Sequence, residues 1–326
     1  MSTDKEKIVF IGSGAIATAI GDVLAATGRY EVVLLSIEES VVKSVNSEHF
    51  NYDYFPYCRL DEKLRASLDK DELRSADFIF IAIPSTAVYG YVSANKDFFN
   101  EKAVVVNLSK GFGQGGQIIP DCLAPLMHNT LVSLKGPSFA REIIKRQVTG
   151  LTAASSDVEA REKVCTLFNG TNISTDFSDD ITGVELSSIL KNIYAIAVGI
   201  VDANFESANL RSMFISRCIN EIRRLMLIFG GKESTVFNYC GFGDFTLTAL
   251  HDMSRNRTLG LLIGKGFFTA GISEKVVLEG RMAVDVFYEK IKDRGLNIKE
   301  FLIINELYHI VNDSDYKIKK FLKNVL

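Results

Sequence analysis

Lys7-Ile-Val-Phe-Ile11 runs directly into Gly12-Ser-Gly14-Ala-Ile-Ala17, and the fold is decided by how this stretch is read. The apolar run has the character of a buried strand, and Ala15 to Thr27 that of the helix following it. Between them lies a Gly-x-Gly-x-x-Gly/Ala turn with alanine in the third place. The first glycine allows the tight turn, the second lets a pyrophosphate approach the backbone, and the small third residue lets the helix pack closely. The helix N-terminus then faces the phosphates with its free N–H groups. Strand, turn and helix in this order point to a dinucleotide site formed by Gly12, Ser13, Gly14, Ala15 and Ile16.

Working outward, Glu31 to Ser36 reads as a second strand. Ala76 to Pro84 and Ala103 to Asn107 are continuous apolar runs, as expected of parallel strands covered on both faces. Leu131 to Leu134 and Val148 to Ala153 extend the series. Strands separated by helix-length segments predict an α/β fold, a Rossmann-type doubly wound, mostly parallel sheet over residues 1–180. Near residue 180 the pattern changes. Thr182-Gly-Val-Glu185 has the spacing of a capping box and predicts a helix start. Helical patterns follow over 209–229, 256–268, 274–294, 299–311 and 314–325, so residues 181–326 are expected to form an all-α C-terminal domain.

Composition narrows the class. Hydrophobic residues make up 47% and charged residues 24% of the 326, a balance that supports a large buried core. A net charge of −3 without a long basic tract gives no basis for nucleic-acid binding. The polar start and the absence of a long uncharged apolar stretch argue against a signal peptide or membrane insertion. The five cysteines are scattered and form no Cys-x-x-Cys pair, which fits reduced thiols in the cytoplasm. Neither they nor the four histidines have metal-ligand spacing, so no metal is expected.

Chemistry gathers at a few places. Lys191, with Asn192 beside it, interrupts the apolar run from Glu185 to Val201, and a lysine is rarely buried without a partner. Snorkelling to water and a functional amine are equally compatible with that helix alone. Pro84, and Lys110 in Asn107-Leu-Ser-Lys-Gly111, end strands at the edge where ligands bind, and Gly136-Pro-Ser138-Phe-Ala140 follows another strand. Asp244 lies in a glycine-rich turn and can orient a lysine amine. Ser254, Arg255 and Asn256 offer a hydroxyl, a guanidinium fork and an amide suited to a phosphate. Arg257 reads as a solvated helix charge.

Taken in order, these segments resemble the NAD(P)-dependent glycerol-3-phosphate dehydrogenases of the soluble bacterial type, nearly from end to end. The resemblance rests on the nucleotide turn, Ala82-Ile-Pro-Ser85, Leu108-Ser-Lys-Gly111, Gly136 to Ala140, Glu185-Leu186 and Leu190-Lys-Asn192. It continues through Gly243-Asp-Phe-Thr-Leu-Thr248, Ser254-Arg-Asn-Arg257 and Leu278-Glu-Gly280. It implies that Lys191 is the proton donor and acceptor, and that Lys110, Gly136, Ser138, Asp244, Ser254, Arg255 and Asn256 hold sn-glycerol 3-phosphate. Ala140, Arg255, Val277 and Glu279 match positions near the nicotinamide nucleotide, which Lys110 also reaches. Asn192 and Thr248 match supporting positions. The implied roles are dinucleotide binding for residues 1–180 and substrate binding with catalysis for residues 181–326. A homodimer is also implied.

The departures concern the cofactor and the substrate. Ile16 stands where the family has a bulky aromatic, Ala17 where it has glycine, and Ile37 where it has a basic residue. Ser187-Ser188-Ile189 replaces small residues before the lysine, and Asp202 to Ser207 replaces a glycine-rich turn. The carboxylate that grips the adenosine ribose about 20 residues after the glycines is missing. Ser36 stands at that strand end, with Glu38 and Glu39 beyond and no arginine, so the cofactor reads as NAD or NADP with a lean to NAD. The expected reaction joins dihydroxyacetone phosphate and sn-glycerol 3-phosphate for phospholipid synthesis. The alternatives are a related reductase for another phosphorylated or carboxylated carbonyl compound and a catalytically silent nucleotide sensor.

Overall fold

Strand β1 (Lys7–Ile11) is buried on both of its faces. Ile8 and Phe10 enter one apolar layer, and Val9 and Ile11 enter the other. Strand β2 (Glu31–Leu35) divides the same way, with Val32 and Leu34 opposed to Val33 and Leu35. Alternate side chains of a strand point to opposite faces, so a strand apolar at every position requires cover on both. Helix α1 (Ala15–Ala26) covers the first layer and α3 (Ser85–Asn95) the second. Helix α2 (Glu39–Glu48) follows β2.

The computed structural model describes residues 5–267, 279–313 and 315–326, and the chain divides into two units, Met1–Ile181 and Thr182–Leu326. The first unit contains an eight-stranded sheet in the order β3-β2-β1-β4-β5-β6-β7-β8. Here β3 is Leu64–Ser67, β4 Phe78–Ile81, β5 Val104–Asn107, β6 Leu131–Lys135, β7 Thr149–Ala154 and β8 Ile173–Ser178. Only the β6–β7 pair is antiparallel. The doubly wound, mostly parallel expectation therefore holds. Strands β3 and β8 were not foreseen. Both lie at sheet edges and lack a continuous apolar run, the signal that identified the central strands. Strand β4 is shorter than the apolar run containing it.

The first unit also contains α4 (Ile119–Leu123), α5 (Ala140–Ile143) and α6 (Val158–Leu167). In the second unit, no strand occurs among the described residues. Helix α7 (Ile181–Asn204) is its central element and α8 (Ala208–Ile228) follows. Then come α9 (Asp244–Leu250), α10 (Arg255–Gly264), α11 (Glu279–Asp293), α12 (Leu302–Asn312) and α13 (Ile318–Val325). Helix α7 begins at Ile181, so Thr182 lies inside its first turn and not at the N-cap that the capping-box spacing predicted. By length and composition α7 is apolar enough to cross a membrane, yet its most apolar 18-residue stretch is wholly buried within the protein. Its all-round apolar character reflects a core position.

Two contacts set the neighbours of α7. A Cβ on Gly199 would come 2.4 Å from the Arg257 carbonyl oxygen, and one on Gly260 would come 2.1 Å from that of Ile196. Only glycine on both helices lets α7 and α10 approach this closely. On another face the Tyr194 hydroxyl donates to Glu221 Oε1 at 3.0 Å. The Glu221 carboxylate also accepts from the backbone N–H groups of Ile303 and Ile304, capping α12. Burial pushes the Glu221 carboxyl above its usual range and the Tyr194 phenol well above its own.

Candidate active site

In the first unit the glycine turn borders a cavity of about 580 Å³. Gly12, Ser13, Gly14, Ser36 and Pro84, all expected at the nucleotide, line it. Gly12 has φ +106°, and a Cβ there would meet the Ala82 carbonyl oxygen at 2.9 Å, so the turn excludes a side chain. A Cβ on Gly14 would have no neighbour nearer than the Tyr54 hydroxyl at 3.9 Å, which leaves this face open to a ligand. Gly14 is the N-cap of α1, and no side chain caps the first N–H groups, at Ala15 and Ile16. The buried Asn51 secures the turn, its Nδ2 donating to the Ser13 carbonyl and to Thr18 Oγ1, each at 2.9 Å. This combination fits a dinucleotide pyrophosphate.

At the end of β5, Lys110 Nζ donates to the Gly136 carbonyl at 3.1 Å and to Ser138 Oγ at 3.3 Å. Three residues expected to hold substrate are thus together. Ala140 starts α5 and packs against the core. Lys135, which the sequence reading passed over, is fully buried at the end of β6. Its Nζ donates to the carbonyls of Asn107 (3.0 Å) and Ser109 (2.6 Å), fixing the segment that carries Lys110. Its position at the end of an apolar strand, immediately before Gly136, was the available signal.

The second unit brings together the other set. Lys191 is 6% exposed, and its Nζ donates to Asp244 Oδ1 at 2.6 Å and to Thr248 Oγ1 at 3.1 Å. The amine does not snorkel. Asp244 stands in the first turn of α9, where a carboxylate suits the helix dipole. The turn before α9 requires Gly241, whose Cβ would lie 2.2 Å from the Val236 carbonyl oxygen. Tyr194 packs edge-on against Phe245 at 6.4 Å, tying α9 to α7. Such a pair is worth about 0.5–1.5 kcal/mol beyond its burial. Asn192 is buried next to Lys191 on α7.

Ser254 caps α10, its Oγ accepting from the Arg257 N–H at 3.3 Å. Arg255 is exposed at the start of α10 and has no ion-pair partner among the described residues. Asn256 Oδ1 is buried without a hydrogen-bond partner. The solvated-charge expectation for Arg257 fails. Arg257 is buried, and its Nη1 donates to Asp202 Oδ2 at 2.5 Å and to the Ala249 carbonyl at 3.0 Å. Its tertiary partner lies at the end of α7, beyond the reach of helical spacing. Val277 lies outside the described residues, and Glu279 is placed only as the first residue of α11.

The chain is similar to known proteins along most of its length. Residues 7–161 match the family model for the NAD-dependent glycerol-3-phosphate dehydrogenase N-terminus, and residues 180–323 match the C-terminus model. The chain is 34% identical over 320 residues to a glycerol-3-phosphate dehydrogenase (NAD(P)+) of Leptospira biflexa, covering 95% of each. It is 33% identical over 300 residues to a Clostridium perfringens protein of the same name, covering 90% of this chain and 89% of that one. The crystal structure of glycerol-3-phosphate dehydrogenase from Coxiella burnetii superposes with a TM-score of 0.89 at 28% identity, covering 98% of both chains.

Proposed function

The chain belongs to the NAD-dependent glycerol-3-phosphate dehydrogenase family, an NAD(P)-dependent oxidoreductase acting on a CH–OH group, and from that premise we propose how its residues divide the work. The reaction interconverts dihydroxyacetone phosphate and sn-glycerol 3-phosphate, and a nicotinamide nucleotide, when bound, exchanges a hydride with C2. The observation that carries the assignment is the buried Lys191 amine on Asp244 and Thr248. Hydride arriving at a carbonyl carbon builds negative charge on its oxygen. Lys191 donates a proton to that oxygen during reduction and takes it back during oxidation. Acid–base help of this kind is worth about 10²–10⁴-fold in rate. Asp244 and Thr248 orient the amine, and Asn192 supports it.

Arg255 clamps the substrate phosphate with its planar fork, and Asn256 adds an amide contact. Ser254, Lys110, Ser138 and the backbone of Gly136 complete the substrate contacts. Binding energy from the nonreacting phosphate then positions C2. Gly12 to Ile16 hold the pyrophosphate, Ser36 and Pro84 border the adenosine side, and Ala140 serves the nicotinamide, as do Val277 and Glu279 by family resemblance. In this reading residues 1–180 bind the nucleotide and 181–326 bind substrate and carry out catalysis. The protein works in the cytoplasm as a homodimer, without nucleic acid or membrane insertion, and supplies glycerol 3-phosphate for phospholipids. The test is oxidation of NADH and NADPH in the presence of dihydroxyacetone phosphate. Turnover with at least one cofactor is expected. No turnover with either would return the choice to a related reductase or a silent sensor.

A further inference from the structure

The rim of the nucleotide cavity holds a cation that the reading of cofactor preference left out. Strand β3 ends level with β2, Leu35 opposite Ser67, and the Ser36 N–H donates to the Ser67 carbonyl at 2.9 Å. Three residues beyond Ser67, Lys70 lines the same cavity as Ser36, Ile37 and Glu38. In a doubly wound sheet, the end of β2 is where the adenosine ribose and its 2′-substituent lie.

The charges around Lys70 are already committed elsewhere. Asp69 accepts from the Asp71 N–H at 2.9 Å, capping the short helical turn that begins at Lys70. Asp71 pairs with Arg74 at 2.7 Å, and Glu72 with Lys7 at 2.6 Å. Lys70 is exposed and has no ion pair among the described residues. Ile37, 92% exposed, offers nothing polar at the position after Ser36. Ser36 Oγ is engaged by Ser13 Oγ at 2.8 Å and by the Glu38 N–H at 3.1 Å. Among the described residues lining this end of the cavity, two charged side chains of opposite sign thus remain, Lys70 and Glu38.

We propose that Lys70 recognises the 2′-phosphate of NADP(H), with Glu38 opposing it and favouring the free ribose diol of NAD(H). A 2′-phosphate carries about −1.5 to −2 charges, with oxygens that accept from an ammonium. A carboxylate instead accepts from ribose hydroxyls and repels the phosphate. The pair makes this end of the cavity serve either cofactor. The proposal rests on the cavity being the nucleotide site.

The test is calorimetric binding of 5′-AMP and 2′,5′-ADP, which differ only in the 2′-phosphate, to the wild-type protein, Lys70→Glu and Glu38→Gln. Lys70→Glu is expected to weaken 2′,5′-ADP at least about tenfold relative to 5′-AMP. Glu38→Gln should shift the ratio the other way. The same 2′,5′-ADP to 5′-AMP ratio in Lys70→Glu as in wild type would overturn the role of Lys70. Wild-type protein that binds neither probe would overturn the nucleotide reading along with it. Because 5′-AMP is the internal reference, a misfolded variant loses both ligands and is replaced by Lys70→Ala, judged on the same ratio.

Discussion

Lys135 in the first unit and Lys191 in the second are both buried lysines, but they are held by different chemistry. Lys135 donates to the backbone carbonyls of Asn107 and Ser109. These contacts tether the segment bearing Lys110. Lys191 donates to a carboxylate and a hydroxyl supplied by another helix. Its partners can orient an amine through a proton transfer. Burial alone therefore does not mark a lysine as catalytic, and the carboxylate and hydroxyl beside Lys191 are what support its proposed role. Arg257 supplies a third case, a buried cation whose pairing with Asp202 joins two helices.

The contrast can be broken by substitution. The largest effect is expected at Lys191→Ala, where kcat should fall by about 10²–10⁴-fold while nicotinamide nucleotide affinity stays near wild type. Near-wild-type turnover, measured beside a nucleotide titration, would remove Lys191 from the chemistry. Next comes Arg257→Met, which removes one of the two arginines paired with the buried Asp202 carboxylate and leaves Arg211 as the other. Its expected cost is about 2–4 kcal/mol of stability, below that of a fully unpaired buried charge, read by denaturant unfolding. A loss below about 1 kcal/mol would class the pair with weak surface bridges.

Lys135→Met should be milder, because two carbonyls lose a donor while the site keeps a side chain of similar length. About 1–3 kcal/mol is expected from unfolding curves. As a tether it should raise the substrate KM more than it lowers kcat. A kcat collapse matching that of Lys191→Ala would erase the distinction between the two lysines. The smallest effect belongs to Arg255→Lys, which keeps the charge and loses the fork. A fall of about tenfold in kcat/KM for the phosphorylated substrate is expected, and an unchanged value would argue against bidentate clamping.

How far each feature could be read from the sequence followed from how local its signal was. The glycine turn between β1 and α1 is a contiguous pattern, and the structure presents it as expected. The central strands are buried on both faces, and their unbroken apolar runs identify them. Edge strands β3 and β8 escaped because half of each faces solvent and their apolar pattern is weak. Missing β3 also hid Lys70, whose place beside Ser36 depends on that strand's register. Arg257 was misread because its partner lies 55 residues away.

By itself the sequence determined the fold class, the nucleotide turn and the residue types able to move a proton and hold a phosphate. Periodicity and short-range spacing carry those properties. The tertiary structure alone decided which charges meet: Lys191 with Asp244, Arg257 with Asp202, Lys135 with the Asn107 and Ser109 carbonyls, and Lys70 at the cavity rim with no ion pair among the described residues. Such pairings are set by helix crossings and strand register, between residues that no local pattern links.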